Sequence, residues 1–248
     1  MKIIALIPAS LNSRKLKNKD IYNFNGHPLL AYTISSAIQS GIFSSIVCVT
    51  DNFIYGQIAK YYGASVPVLY PKNFLSEDQS NREWVSWALS YLINEGASFD
   101  AFATLGPTNP FRMPEMIQRA WAQFSAEPKT QTVQSVEKLL YSQESVWKIE
   151  KGTETLYSEN SQINESNKNE IDSTIAIFAK NCCIEIHQTS YFLNGNKGKD
   201  DQIQPFLTDS DEGFMITSYQ DVVKAEYNLS IGKQVPSIDL KSYLMDNI

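Results

Sequence analysis

Residues 2–20 read KIIALIPASLNSRKLKNKD, and this stretch decides the fold. The apolar run 2–8 suits one buried strand, of the continuous hydrophobic kind that a parallel sheet covered on both faces requires. It breaks at Pro8 into a loop of small and cationic residues, with Ser13, Arg14, Lys15, Lys17 and Lys19 close together. A hydrophobic strand that ends in such a loop is how α/β folds build phosphate sites. Backbone N–H groups and ammonium groups meet the anion at the carboxyl end of the strand. The chain as a whole carries a formal charge of −6, so the basic loop departs from its surroundings. The plainer alternative is a solvated turn after an edge strand.

Outward from this stretch, strand and helix patterns alternate. Residues 28–39 (PLLAYTISSAIQ) have helical spacing, with Pro28 suited to the first turn and Gly41 to the stop. Residues 45–50 (SIVCVT) predict the second strand and 53–62 a helix closed by Gly63. A short strand over 66–70 is followed by an amphipathic helix over 81–95. A strand over 101–105, a helix over 114–124 and a strand over 131–136 come next. Repeated β-α units of this size predict an α/β, doubly wound, mostly parallel sheet with helices on both faces. The second half reads differently. Residues 150–170 and 195–202 are polar loops by composition, 173–179 and 214–217 read as strands, and 219–226 as a helix.

A chain of 248 residues, 43% hydrophobic and 12% aromatic, suits one globular α/β domain. No stretch approaches the roughly 20 apolar residues of a membrane helix, and the initial apolar run is shorter than a signal peptide requires. The expectation is therefore a cytoplasmic protein without a membrane partner. Three cysteines and two histidines, with Cys182 and Cys183 adjacent, make no zinc pattern; Cys48 reads as a core residue. The acidic balance argues against nucleic acid as a partner. Neither His27 nor His187 has a nucleophile pattern beside it.

Four segments fall at the carboxyl ends of the predicted strands. In the first, over 8–20, the backbone at Asn12 and Ser13 can approach an anion, and Lys19 can reach a β- or γ-phosphate. In the second, Asp51 after Thr50 is either a ligand for a metal or ribose hydroxyl, or the N-cap of the next helix. The third carries Tyr70, Ser76, Glu77 and Asp78, otherwise a turn and cap. The fourth, 105–112 (LGPTNPFR), is a turn bracketed by two prolines, whose rigid backbone can face a ligand.

Two of these segments resemble one family. PASLNSRKLKNKD is similar to the nucleotide-binding loop of the CMP-sugar synthetases, the acylneuraminate cytidylyltransferases that activate sialic acid, related nonulosonates and Kdo. LGPTNPFR resembles their Leu-Gln-Pro-Thr-Ser-Pro-Leu-Arg turn. The resemblance implies the Rossmann-like fold of nucleotide-diphospho-sugar transferases as a single domain over 1–248, with a small dimerisation excursion within 137–200 and a homodimeric assembly. It implies transfer from CTP to a sugar acid, with Mg²⁺ accompanying CTP and pyrophosphate released. Aligned residue by residue, Ala9, Ser10, Leu11, Asn12, Ser13, Arg14, Lys19, Ser76 and Asp78 take nucleotide-binding positions, Lys19 and Arg14 the catalytic ones. Thr108, Asn109 and Arg112 take the positions that face the sugar, with a purely structural role as the alternative for Arg112. The family's metal aspartates align with Met215 and Thr217, which leaves Asp209 and Asp211 as the nearest carboxylates for the metal. The chain also departs from the family at Ser10, Tyr70 and Gly106, where arginine, arginine and glutamine are usual. Two other readings follow from these departures: a homologue that binds nucleotide or sugar acid without transfer, and a nucleotidyltransferase for another sugar or NTP.

Overall fold

Alternate residues of the first strand enter two different cores. Ile3, Ala5, Ile7 and Ala9 belong to one buried cluster and Ile4 and Leu6 to another. A strand apolar on both sides must lie inside a sheet covered on both faces, and β1 (Ile3–Ala9) does. The computed structural model describes residues 1–10, 15–71, 81–127, 129–138, 147–150, 153–156, 178–194, 203–209 and 211–243.

After β1 come a short 3-10 turn (Lys19–Ile21), the two-residue strands β2 (Asn23–Phe24) and β3 (His27–Pro28), α1 (Leu29–Ser40), β4 (Phe43–Thr50) and α2 (Phe53–Tyr61). Then follow α3 (Asn81–Asn94), β5 (Ala101–Leu105), α4 (Pro114–Ala126) and β6 (Thr132–Lys138). The remainder holds a hairpin of β7 (Trp147–Glu150) and β8 (Thr153–Leu156), then β9 (Phe178–Gln188), α5 (Thr189–Leu193), β10 (Ile203–Leu207) and α6 (Tyr219–Ser230). The main sheet has 6 strands in the order β10-β6-β9-β5-β1-β4. β1 is parallel to β4 and β5, and β10 to β6; only β9 runs antiparallel to its neighbours. One core lies between the sheet and α1, α2 and α4, the other beneath α3 and α5. A third cluster, with Phe24, Leu29, Phe111, Ile216, Val222 and Ala225, seats α6 over the start of α1.

The termini of the elements follow local chemistry. Gly41 ends α1 in the left-handed region at φ 68°. Pro114 opens the first turn of α4, where its missing N–H costs nothing. Ser218 and Asp221 form a reciprocal capping box at the start of α6.

Several expectations are corrected. β1 does not break at Pro8: it runs on to Ala9, with Pro8 paired to Val49 past the last β5 partner of the strand. On that side no ladder is left to need the missing N–H. Residues 66–70 form no strand. The bridge to β4 is made just before them, Ser65 to Val47, and within them the Tyr70 amide donates to the Thr50 carbonyl at 2.8 Å, because Pro67 has no donor to continue the ladder. Residues 214–217 are not a strand either; the sheet ends on the β6 side with β10. The polar stretch 150–170 contains β8, and the expected strand at 173–179 is described from Phe178 onward as the start of β9, its earlier part lying outside the described residues. Within 137–200, β9 lies at the centre of the main sheet, between β5 and β6.

Candidate functional site

β1 leads to β4 on one side of the sheet, while β5 leads toward β6 on the other. Connections that diverge in this way leave a crevice at the carboxyl ends of the two strands, which is where α/β sheets bind ligands. Both segments that resemble the family end there.

At β1, Ala9 is fully buried and pairs with Thr50. The Ser10 amide donates to Asp20 Oδ2 at 2.8 Å, and Asp20 is only 3% exposed. This bond closes the loop from its two ends. Asn18, left-handed at φ 54°, turns the chain into the 3-10 turn that Lys19 begins. Lys19 is half-buried, while Lys15 and Lys17 are exposed. Leu11, Asn12, Ser13 and Arg14 lie outside the described residues, as do Ser76 and Asp78.

At β4, the N-cap of α2 is Asn52, whose Oδ1 accepts from the amides of Ile54 and Tyr55 at 2.8 and 3.1 Å. The capping alternative for Asp51 is therefore corrected, since one residue further on already performs it. Burial, then the charges of Asp20 and Asp51, push the Tyr55 phenol well above its ordinary pKa. Tyr70 is 2% exposed with its ring edge-on to Trp87 at 4.4 Å. Its ring belongs to the core and is not presented for stacking.

At β5, the 105–112 turn is packed from beneath. Thr108, Asn109 and Arg112 are 2%, 1% and 0% exposed. Arg112 donates from Nη2 to the Gly106 carbonyl at 2.7 Å and to Asn109 Oδ1 at 2.9 Å, and from Nη1 to Thr33 Oγ1 at 3.2 Å. Thr33 donates in turn to the Gly106 carbonyl at 3.1 Å. Asn109 Nδ2 donates to the Phe214 carbonyl at 3.1 Å, and the Ile216 amide to the Thr108 carbonyl at 2.9 Å. The side chains of Asn109 and Arg112, expected to face the sugar, are thus occupied internally and shape the turn from within. Cys183 lies against the same guanidinium: burial raises its thiol, Arg112 offsets part of that, and its Sγ donates to the Glu212 carbonyl at 3.1 Å.

The residues expected to hold Mg²⁺ do not fit a metal. Asp211 is ion-paired with Lys233, and the Asp209 side chain is exposed. The neighbouring Glu212 is bound by Arg119 at 2.7 Å. Thr217 donates its hydroxyl to Asp221 at 2.8 Å. Burial of the Asp221 carboxyl tends to raise its pKa, but hydrogen bonds from Thr217 and Ser218 outweigh this and hold it below the ordinary aspartate value, committed to the cap. Among the described residues no group of three or more His, Cys, Asp or Glu side chains is placed to hold a metal ion.

Asp20 and Thr33 were not legible as site residues. Asp20 is an acid ending a basic run, which is a usable signal. Thr33 meets the turn across 73 residues and gives none.

The sequence model of the family described as cytidylyltransferase matches residues 4–181. An N-acylneuraminate cytidylyltransferase from Escherichia coli is 39% identical over 135 residues, which are 54% of this chain and 31% of that protein. A CMP-N,N'-diacetyllegionaminic acid synthase from Legionella pneumophila is 37% identical over 120 residues, 48% of this chain and 52% of the relative. A pseudaminic acid cytidylyltransferase from Campylobacter jejuni is 32% identical over 124 residues, 50% of this chain and 53% of the relative. The chain thus spans about half, or less, of these relatives' length. Among solved structures, a CMP:2-keto-3-deoxy-manno-octonic acid synthetase complexed with CTP superposes with a TM-score of 0.67 at 14% identity, over 93% of this chain and 99% of the other. A 4-diphosphocytidyl-2C-methyl-D-erythritol synthase from Anaerococcus prevotii gives 0.63 at 12% identity, over 92% and 99%. At these identities the two structures speak for the fold alone. Among the described residues no helix is long and apolar enough to cross a membrane.

Proposed function

The chain belongs to the cytidylyltransferase family, and from that premise we propose that it activates a nonulosonic, sialic-acid-like sugar acid with CTP, giving the CMP-sugar and pyrophosphate. The observation that carries the reading is the meeting of two segments at one crevice: the basic loop closed by Ser10 and Asp20 after β1, and the braced 105–112 turn after β5. The sugar's anomeric hydroxyl attacks the α-phosphorus in line and pyrophosphate leaves. Catalysis is then mainly positioning and charge neutralisation. Lys19 and Arg14 carry the charge of the triphosphate, with Ala9, Ser10, Leu11, Asn12 and Ser13 supplying backbone to it. Ser76 and Asp78 lie toward the cytidine. Thr108 and Asn109 offer the acceptor a rigid backbone held by Arg112.

The same proposal has Mg²⁺ entering as the CTP complex, since Asp209 and Asp211 are unsuited to hold it. It has the protein working in the cytoplasm, where CTP is made, as a homodimer through part of 137–200. The test is pyrophosphate release with CTP, Mg²⁺ and a panel of nonulosonic acids and Kdo, with Lys19→Ala as control. Release with one acid, lost in the variant, supports the transferase. CTP binding without release from any acid supports the second reading, a nucleotide or sugar-acid binder, which the neutral residues Met215 and Thr217 favour. Release with a different NTP supports the third, a transferase of altered specificity.

A further inference from the structure

We propose that Arg112 is a positioning residue for this site, setting the 105–112 turn against α1 and the 213–216 segment from beneath, without touching substrate itself. The inference rests on the functional reading above for its kinetic part and on the geometry for the rest.

Two costly features converge on one turn. The first is a fully buried guanidinium whose hydrogen-bond acceptors among the described residues, Thr33, Gly106 and Asn109, are all neutral. A cation removed from water without a carboxylate is expensive, and an apolar side chain of similar length fills such a space more cheaply. The second is Cys182, a non-glycine residue in the left-handed region at φ 52°, in a β9 that is irregular opposite β6. Its carbonyl lies 3.1 Å from the point where a Cβ on Gly106 would sit. Both features fix where the backbone of residues 106–109 lies at the mouth of the crevice, and local cost of this kind collects where geometry serves function.

The guanidinium is also the hub of a relay. Through Thr33 it reaches α1, whose start lies beside the end of the basic loop. Through Asn109 it reaches the Phe214 carbonyl, and the Thr108 carbonyl next to Asn109 receives the Ile216 amide. The turn, α1 and the 213–216 segment are thus joined by one bond network with Arg112 at its centre, in which Thr33 also bonds the Gly106 carbonyl directly. Its planar fork makes two bonds within its own turn and one to α1, which a lysine ammonium on a flexible stem cannot reproduce.

The experiment compares the wild type with Arg112→Lys and Thr33→Val in the full chain. Both variants change the brace and leave the basic loop intact. Pyrophosphate release is split into kcat and KM, and residue-resolved amide hydrogen exchange is followed with and without CTP. The expected result is a kcat lower by roughly tenfold to a hundredfold in Arg112→Lys, with KM for CTP within about threefold. Faster exchange is expected at the Ile216 amide in both variants, with β1 and β4 amides unchanged. A purely structural role predicts a lower Tm with unchanged kcat per folded molecule, and that outcome overturns the proposal. Unchanged exchange at Ile216 also overturns it. If the wild type releases no pyrophosphate, the functional reading fails by itself. The proposal is then decided by exchange alone: CTP protecting residues 105–112 in the wild type but not in Arg112→Lys supports it, and equal behaviour in the two overturns it.

Discussion

The Ser10 amide and the Asp20 carboxylate are 2.8 Å apart, so a part-buried hydrogen bond joins the two ends of the basic loop. A loop already closed loses less freedom when an anion binds, and that saving appears as affinity. Hydrogen bonds to a charged group contribute about 1.5–3 kcal/mol, and leaving the Ser10 donor without an acceptor costs a similar amount. Asp20→Ala is therefore expected to weaken CTP binding about tenfold or more and to lower Tm by several degrees. Asp20→Asn, which retains an acceptor oxygen, falls between. Titration calorimetry and thermal unfolding measure both, and wild-type affinity in Asp20→Ala removes the loop closure from the account.

Asp211 is ion-paired with Lys233, and both side chains are at least a third exposed. An exposed pair of this kind contributes about 0–1 kcal/mol. Asp211→Asn and Asp209→Asn are expected to leave the Mg²⁺ concentration for half-maximal pyrophosphate release unchanged and stability almost unchanged. A tenfold rise in the Mg²⁺ requirement would restore these carboxylates as ligands.

The sequence reveals elements whose two-sided apolar pattern meets a local stop. Ile3 to Ala9 alternate between two cores, and Gly41 ends α1, so both are legible without contacts. The pattern fails where partners are distant. β9 carries Lys180, Glu185 and His187, a polar composition that looks unfit for the centre of a sheet. Those side chains satisfy one another on one face, with Lys180 Nζ 2.6 Å and His187 Nε2 3.4 Å from the Glu185 carboxylate. Residues 214–217 look like a strand because Phe214 and Ile216 alternate, yet both fill the cluster beneath α6, and the Ile216 amide is tied to Thr108 instead of a ladder. In the site, the basic loop is legible from composition. The brace on Arg112 is not, because Thr33 and Asn109 become its partners only when α1 and the turn pack.

The same β9 triad makes stability depend on pH. Burial tends to raise the Glu185 carboxyl, but His187 and Lys180 outweigh it and hold its pKa at about 2, below the ordinary 4.5. A carboxyl depressed on folding stabilises the fold fully above its unfolded pKa, and that contribution is lost as pH falls through the folded value. The window is therefore from about 4.5 down to about 2. Glu185→Gln is expected to lower Tm at pH 7 and to flatten the acid side of the Tm profile in that window. An unchanged acid limb would show that the triad does not govern it.

Gly106 stands where the resembling family has a glutamine, and restoring that side chain is the obvious route to a more active protein. The packing predicts the opposite. A Cβ at this position meets Asn109 Oδ1 at 3.0 Å and the Cys182 carbonyl at 3.1 Å, with Arg112 Nη2 behind them at 3.7 Å. The Cys182 carbonyl belongs to a central strand and cannot give way cheaply. Asn109 can move only by releasing its bonds to Arg112 and to the Phe214 carbonyl. Overpacking of this kind costs about 1–3 kcal/mol. Gly106→Ala is expected to lose that stability, and Gly106→Gln to lose it and also lower turnover, because the displaced Asn109 opens the brace. Thermal unfolding and pyrophosphate release on the two variants decide the matter. A rise in release in Gly106→Gln without loss of Tm would mean that the turn has room for the side chain and that Asn109 is not needed where it lies.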